Sequence, residues 1–275
     1  MLDVNVSSFC FSDAIFAYFF PSQDGGGIGF DDTGGELELY NMNLTSRTDP
    51  SLLASVKTQS RFASLGWSTG GESAKYPLGM VAGGMENGAV HVWDPQAILQ
   101  QQQAVLIASH SDHGSGAIKA LQFNKLVPGQ LATGGSDGKV LILNLNQPEA
   151  PPFTPAADNS QHQRAPITSL AWNTQVPHIL ASAAGDGTVT VWDLNSRKAW
   201  NELRAETSGQ AISAVAWNPS DGMQLLTASA DDRNPVIKVW HLSTSTSMPL
   251  ATLSGHSQGI LSMAWCPHDE HLLLS

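Results

Sequence analysis

Two histidine pairs, His110/His113 and His268/His271, stand at H-x-x-H spacing and are the residues best suited by type to hold a metal ion. A catalytic zinc site needs a third ligand and an activating carboxylate as well. His110-Ser-Asp-His113-Gly-Ser-Gly reads instead as a polar loop, and His268 follows Pro267 in a loop before a strand. None of the serines lies in a G-x-S-x-G elbow. Gly25-Gly-Gly-Ile-Gly29 is followed by neither Lys-Ser/Thr nor a helix that would cradle a phosphate. With a net charge of −11, the chain offers no positive stripe for a nucleic-acid backbone. The expectation is a protein that is not an enzyme, takes no metal or cofactor, and binds no nucleic acid.

The elements that would position any site come from an internal repeat. A strand ending in apolar–x–apolar–aromatic–polar recurs as Gly88-Ala-Val-His-Val-Trp93-Asp94, Gly138-Lys-Val-Leu-Ile-Leu143-Asn144, Gly187-Thr-Val-Thr-Val-Trp192-Asp193 and Pro235-Val-Ile-Lys-Val-Trp240-His241. A weaker copy is Gly35-Glu-Leu-Glu-Leu-Tyr40-Asn41, and the spacings along the series are 53, 50, 49 and 48 residues. Upstream of the later copies lies a second strand pattern, ending in Trp67, Phe123, Trp172, Trp217 and, last, Trp265. A third, such as Met80-Val-Ala-Gly-Gly84 or Ile179-Leu-Ala-Ser-Ala183, carries small residues that let backbones approach. Asn87-Gly88, Asp137-Gly138 and Asp186-Gly187 are hairpin signals in which both residues accept positive φ. Three antiparallel strands plus a less patterned fourth, at this period, predict an all-β WD-repeat β-propeller of about five blades and the start of a sixth. The recurring tryptophans are expected to pack between blades.

Charged residues are only 13% of the chain, against about a quarter in typical proteins. Cys10 and Cys266 read as two reduced thiols. The apolar run 9–20 lacks a basic flank and a cleavage site, contains Asp13, and is too short to span a bilayer, so it reads as strand material. Pro95-Gln-Ala-Ile-Leu99 is compatible with a helix, Gln100–Gln103 with a solvated connector, and the proline-rich insertion 149–166 with an extended, exposed loop. In WD repeats a histidine ahead of the first strand can bond an aspartate in the later hairpin turn. That partner for His256 would lie beyond Ser275, and with His113 and His162 shifted in register, Asp137 and Asp186 are expected to serve their own turns.

Aligned in this way, the chain resembles the N-terminal propeller of the large outer-coat subunits of COPII vesicle coats. The most specific segment is Ala230-Asp-Asp-Arg-Asn-Pro-Val-Ile-Lys-Val-Trp240, in which Asp231, Asp232, Arg233 and Pro235 replace the usual turn glycine. Ser60-Arg-Phe62, Ala82-Gly-Gly-Met-Glu-Asn-Gly88, Phe153-Thr-Pro155, Ala171-Trp-Asn-Thr-Gln-Val-Pro-His178 and His256-Ser-Gln-Gly-Ile260 support it. The resemblance runs from about Phe30 to Ser275, so residues 1–29 are expected to be a divergent N-terminal segment and 30–275 a partial propeller.

The resemblance implies a structural scaffold of COPII vesicles in endoplasmic-reticulum-to-Golgi transport, cytoplasmic and located at exit sites and vesicle membranes. Its implied partners are the smaller propeller subunit, the inner-coat subunits and copies of itself, with peripheral membrane association only through the coat. The competing reading is a WD-repeat adaptor or substrate receptor outside vesicle traffic. Arg233, beside two carboxylates, is read either as an anchor of its turn or as a partner-facing group. Because the sixth repeat halts at His271-Leu-Leu-Leu-Ser275, the array is expected to be open, with apolar faces at its ends that favour aggregation.

Overall fold

A computed structural model describes residues 11–12, 15–21, 34–41, 49–70, 75–155, 165–204, 210–266 and 268–275. The chain packs as two compact units, residues 1–121 with 147–149 and residues 122–146 with 150–275. Both are built from small antiparallel sheets of consecutive strands, the arrangement expected of propeller blades.

The first unit holds two four-stranded sheets. One comprises β1 (Phe11–Ser12), β2 (Ile15–Pro21), β3 (Gly35–Asn41) and β4 (Ser51–Thr58); the other comprises β5 (Phe62–Trp67), β6 (Val81–Met85), β7 (Val90–Trp93) and β8 (Leu106–His110). Ile15–Pro21 pairs along its whole length with Gly35–Asn41. The first sheet therefore draws strands from before the expected boundary at residue 29. The short helix α1 (Pro95–Leu99) links β7 to β8.

A three-stranded sheet comprises β9 (Ile118–Phe123), β10 (Gln130–Gly135) and β11 (Val140–Asn144). Next come the sheet of β12 (Ile167–Trp172), β13 (Ile179–Ala184), β14 (Thr188–Asp193) and β15 (Lys198–Arg204), and that of β16 (Ile212–Trp217), β17 (Gln224–Ser229), β18 (Val236–His241) and β19 (Ala251–Ser254). A two-stranded sheet of β20 (Ala264–Cys266) and β21 (Asp269–Leu274) ends the series.

The core follows the repeat. The small-residue strands, second in order in the second to fifth sheets, are buried on both faces, as in Val81–Met85 and Ile179–Ala184, which explains their small side chains. Ile179, Val191, Leu203, Trp217, Leu225 and Trp240 form one cluster spanning the fourth and fifth sheets. Its aliphatic members are each worth about 1.5–3 kcal/mol on burial. Trp192 Nε1 donates to Ser182 Oγ (2.8 Å) and Trp240 Nε1 to Thr227 Oγ1 (3.0 Å), so each indole finds its partner one strand away.

The second sheet solves the same packing problem with different residues. Trp93 pairs with Val81 and its ring reaches over Gly83, where the third to fifth sheets have the hydroxyls of Thr133, Ser182 and Thr227; a Cβ on Gly83 would lie 2.5 Å from Phe62 Cε1 and 3.0 Å from Trp93 Cζ3. Phe62 stands where Ile167 and Ile212 begin the corresponding strands, and its ring lies 5.8 Å from that of Trp93. The larger ring fills the room that the missing hydroxyl leaves.

The hairpins differ from expectation in one detail. Gly88, Gly138 and Gly187 have φ of 86°, 75° and 87°, but Asn87, Asp137 and Asp186 are not in the positive-φ region. Their side-chain oxygens accept from the N–H groups of Ala89, Lys139 and Thr188, so each carboxylate or amide closes its own turn. A three-residue loop needs only its last residue left-handed, and glycine supplies that.

The exchange of Phe62 and Gly83 for an isoleucine and a serine can be tested as a cycle. Gly83→Ser alone should lower stability by about 1–3 kcal/mol through overpacking, and Phe62→Ile alone should leave a cavity. The double variant rebuilds the Ile167–Ser182–Trp192 arrangement and should recover most of the loss. Thermal denaturation of the four proteins reads the coupling; strict additivity would refute the packing account.

Candidate protein-interaction surface

The tryptophans and aspartates of the repeat lie at equivalent places, each in its own sheet. Trp93, Trp192 and Trp240 are buried. Asp94 caps α1, its Oδ1 accepting from Gln96 N at 2.9 Å. Asp193 accepts from Asn195 N (2.9 Å), and His178 Nε2 stands 3.9 Å away. The Ser196 hydroxyl, the Asn195 and Ser196 N–H groups and the charge of His178 hold its carboxyl below the usual range, with a smaller opposing effect from burial. His91, half-buried in β7, has its imidazole pKa lowered by desolvation. His256 is exposed, with Nε2 2.9 Å from Ser275 Oγ; His162 lies outside the described residues.

The histidine pairs also separate by environment. His113 is buried, whereas His110 sits 3.6 Å from Asp112; His268 and His271 are exposed, with His271 3.7 Å from Glu270. Among the described residues no three His, Cys, Asp or Glu side chains gather as a metal site would need.

What joins one sheet to the next is an asparagine that repeats immediately after the aromatic end of the first strand. Asn124, Asn173 and Asn218 are all buried. Each Oδ1 accepts two N–H groups of its own loop: Leu126 and Val127, Gln175 and Val176, Ser220 and Asp221. Each Nδ2 then crosses to the following sheet, to Pro177 O (2.9 Å), Gly222 O (2.8 Å) and Glu270 O (3.4 Å). Trp172 Nε1 and Trp217 Nε1 return bonds to the preceding sheet, at Gln122 O and Ala171 O, both 2.9 Å. The aromatic–Asn pairs Phe123-Asn124, Trp172-Asn173 and Trp217-Asn218 were the available sequence signal for this ladder.

The Asp231–Pro235 turn is a further link of this kind. Asp231 Oδ1 accepts from Arg233 N (2.9 Å), its Oδ2 from Gln210 Nε2 (3.2 Å), and Asp232 Oδ1 accepts from Gly259 N at 2.7 Å. A Cβ on Gly259 would meet Ala230 O at 2.2 Å, so the backbones touch there. Pro235 precedes β18, where a missing donor is tolerated. The Arg233 side chain is exposed and makes no ion pair among the described residues. The anchors of this turn are the two carboxylates, and the guanidinium is left facing solvent.

The fourth strands supply more exposed surface. Opposite the end of β3, β7 and β14, one extra residue is inserted in the outer strand: Leu53, Ile107 and Trp200. Such bulges re-aim side chains and blunt sheet edges. Leu53 is 41% and Trp200 44% exposed, and tryptophan is a residue that interfaces favour as an anchor.

Comparison with known proteins places this architecture. The family described as "Nucleolar protein 10-like, N-terminal domain" matches residues 34–236, and "WD domain, G-beta repeat" matches residues 247–275. The chain is 45% identical over 246 residues to protein transport protein sec31 of Neurospora crassa, covering 87% of this chain and 18% of that protein. It is 36% identical over 262 residues to SEC31 of Dictyostelium discoideum, covering 91% and 19%. Among solved structures, "COPII on membranes, outer coat vertex" aligns with a TM-score of 0.76 at 30% identity, over 94% of this chain and 66% of that one. The chain thus spans about a fifth of the length of these curated relatives.

Substitutions separate the latches from the free surface. Asn173→Ala should cost about 2–3 kcal/mol, since it removes the bonds from Gln175 N and Val176 N and cuts the bond to Gly222, each worth about 1 kcal/mol. Asp232→Ala should lower the melting temperature, whereas Arg233→Ala should leave it unchanged. Melting curves showing Arg233→Ala to be the more damaging of the two would overturn this division.

Proposed function

The chain belongs to the β-propeller family of Nucleolar protein 10-like N-terminal domains and is homologous to SEC31 protein transport proteins, and from that premise we propose that it is a scaffold of the COPII coat in endoplasmic-reticulum-to-Golgi transport. The observation that carries the reading is the match to an outer-coat vertex structure over 94% of the chain at 30% identity. Its partners are other coat subunits (the smaller propeller subunit, inner-coat subunits and copies of itself), and it reaches the membrane only through them, at cytoplasmic exit sites. It acts through contact surfaces rather than catalysis. Supporting this, the polar side chains of the repeat are spent on turns and sheet-to-sheet bonds, while the exposed groups, Arg233 and the bulged Leu53 and Trp200, are of types suited to protein contacts.

Tagged protein carrying this chain should label exit-site puncta together with COPII subunits and co-purify with them. Labelling confined to nuclei, nucleoli or proteasomes would reject the coat reading in favour of an adaptor outside vesicle traffic.

A further inference from the structure

Within the second unit a groove of about 600 Å³ lies beside the third and fourth sheets, walled by Val127, Pro128, Phe153, Pro177, His178 and Arg197. Among the described residues the third sheet has three strands, where the second, fourth and fifth sheets have four. At its edge Phe153 exchanges both backbone bonds with Ile142, at 2.8 Å each. Continuing that register sets Pro155 against Val140 and Pro151 against Asn144. Neither proline has an N–H to give, so the ladder ends after one rung. Ile142 turns its N–H and C=O away from β10 toward Phe153, and by the two-residue period Asn144 points its own the same way, at the groove wall.

The opposite wall carries an anomaly of backbone. Arg197 has φ of 57°, one of two non-glycine residues in the positive-φ region among those described. Glycine would sit there without steric penalty, yet the position holds an arginine whose guanidinium lies 5.1 Å over the Phe153 ring. It makes no ion pair among the described residues, while His178 beside it already faces Asp193 at 3.9 Å. In a chain of net charge −11, this places an uncompensated cation against an aromatic ring and a wall of prolines.

We propose that the groove is a binding site for an extended peptide bearing a carboxylate next to a proline or aliphatic residue. The carboxylate pairs with Arg197, which offers a fork of N–H donors in fixed geometry. The apolar residue packs on Phe153, Val127 and Pro128, and the volume suits a few residues of extended chain. One guanidinium in an acidic chain does not suit a nucleic-acid backbone. The site does not depend on the coat role proposed above and would serve an adaptor equally.

The test is selection of a displayed random octapeptide library on the chain, side by side with Arg197→Gly and Arg197→Gln, with melting temperatures measured for all three. The wild type should enrich Asp or Glu beside Pro, Leu, Ile or Val. A selected peptide, labelled and followed by fluorescence anisotropy, should bind both variants roughly tenfold or more weakly, the loss of a charge-assisted contact. Arg197→Gly should melt no lower than wild type, because the left-handed backbone then costs less. Failure to enrich acidic sequences above the variants would overturn the proposal. So would equal affinity of a selected peptide for all three proteins, and so would a lowered melting temperature of Arg197→Gly with unchanged peptide binding, which would make Arg197 a clamp on Phe153 and nothing more.

Discussion

A single buried amide, repeated, ties the second unit together. Asn124, Asn173 and Asn218 each close their own loop through the carbonyl oxygen and reach the next sheet through the nitrogen. An asparagine is suited to this because it alone among short side chains offers an acceptor with two lone pairs beside two donors. Buried, the group is costly to leave unsatisfied and therefore fixes both distances at once. Apolar packing between sheets is non-directional and would tolerate a slide of one sheet along another. Amide-to-carbonyl bonds, answered by the tryptophan Nε1 bonds running the opposite way, do not.

Around that constraint the repeats vary by compensation. Phe62 with Gly83 replaces an aliphatic residue with a hydroxyl-bearing one, and the volume moves from one strand to its neighbour. In the third sheet Leu143 takes the tryptophan position and is fully buried without needing a polar partner. Among the described residues, the edge of the same sheet meets a Pro-Pro-Phe-Thr-Pro segment that supplies one rung, at Phe153. The expected exposed insertion is thus pinned at its start: Pro155 is buried and Phe153 half-buried beneath Arg197. Prolines at alternate register positions keep this edge from pairing at random and leave a groove beside it.

How much of this was legible follows from the kind of signal each feature leaves. Strand type, order and the repeat period showed because apolar alternation and Trp-Asp endings recur at nearly constant spacing, and the observed sheets follow them from Gly35 to the last hairpin. The pairing of Ile15–Pro21 with Gly35–Asn41 was hidden because that strand matches no other copy of the pattern. The asparagine ladder left a trace, an Asn after Phe123, Trp172 and Trp217, but its acceptors are backbone carbonyls of Pro177, Gly222 and Glu270, residues with no type in common. A side-chain-to-backbone bond constrains one partner's identity and not the other's, so half of it is invisible in sequence. Arg197 was missed for a related reason, since its side chain matters through a backbone angle that no neighbouring residue announces.

The same distinction separates what holds the molecule together from what it can offer to others. Asp231 and Asp232 looked like partners for Arg233 by proximity in sequence, yet their oxygens are taken by Gln210, Gly259 and the turn's own N–H. Backbone donors that are anchored nearby need no entropy to be held, whereas a long guanidinium side chain must be frozen to form an exposed pair, and such pairs contribute little. The carboxylates therefore go to the latch and the arginine stays exposed. In an acidic chain with few cations, an arginine released in this way is one of the rare places where an acidic partner meets attraction instead of repulsion. A scaffold can thus keep its internal bonds and its contact surfaces on separate atoms, so that a partner can bind or leave without loosening the sheets beneath it.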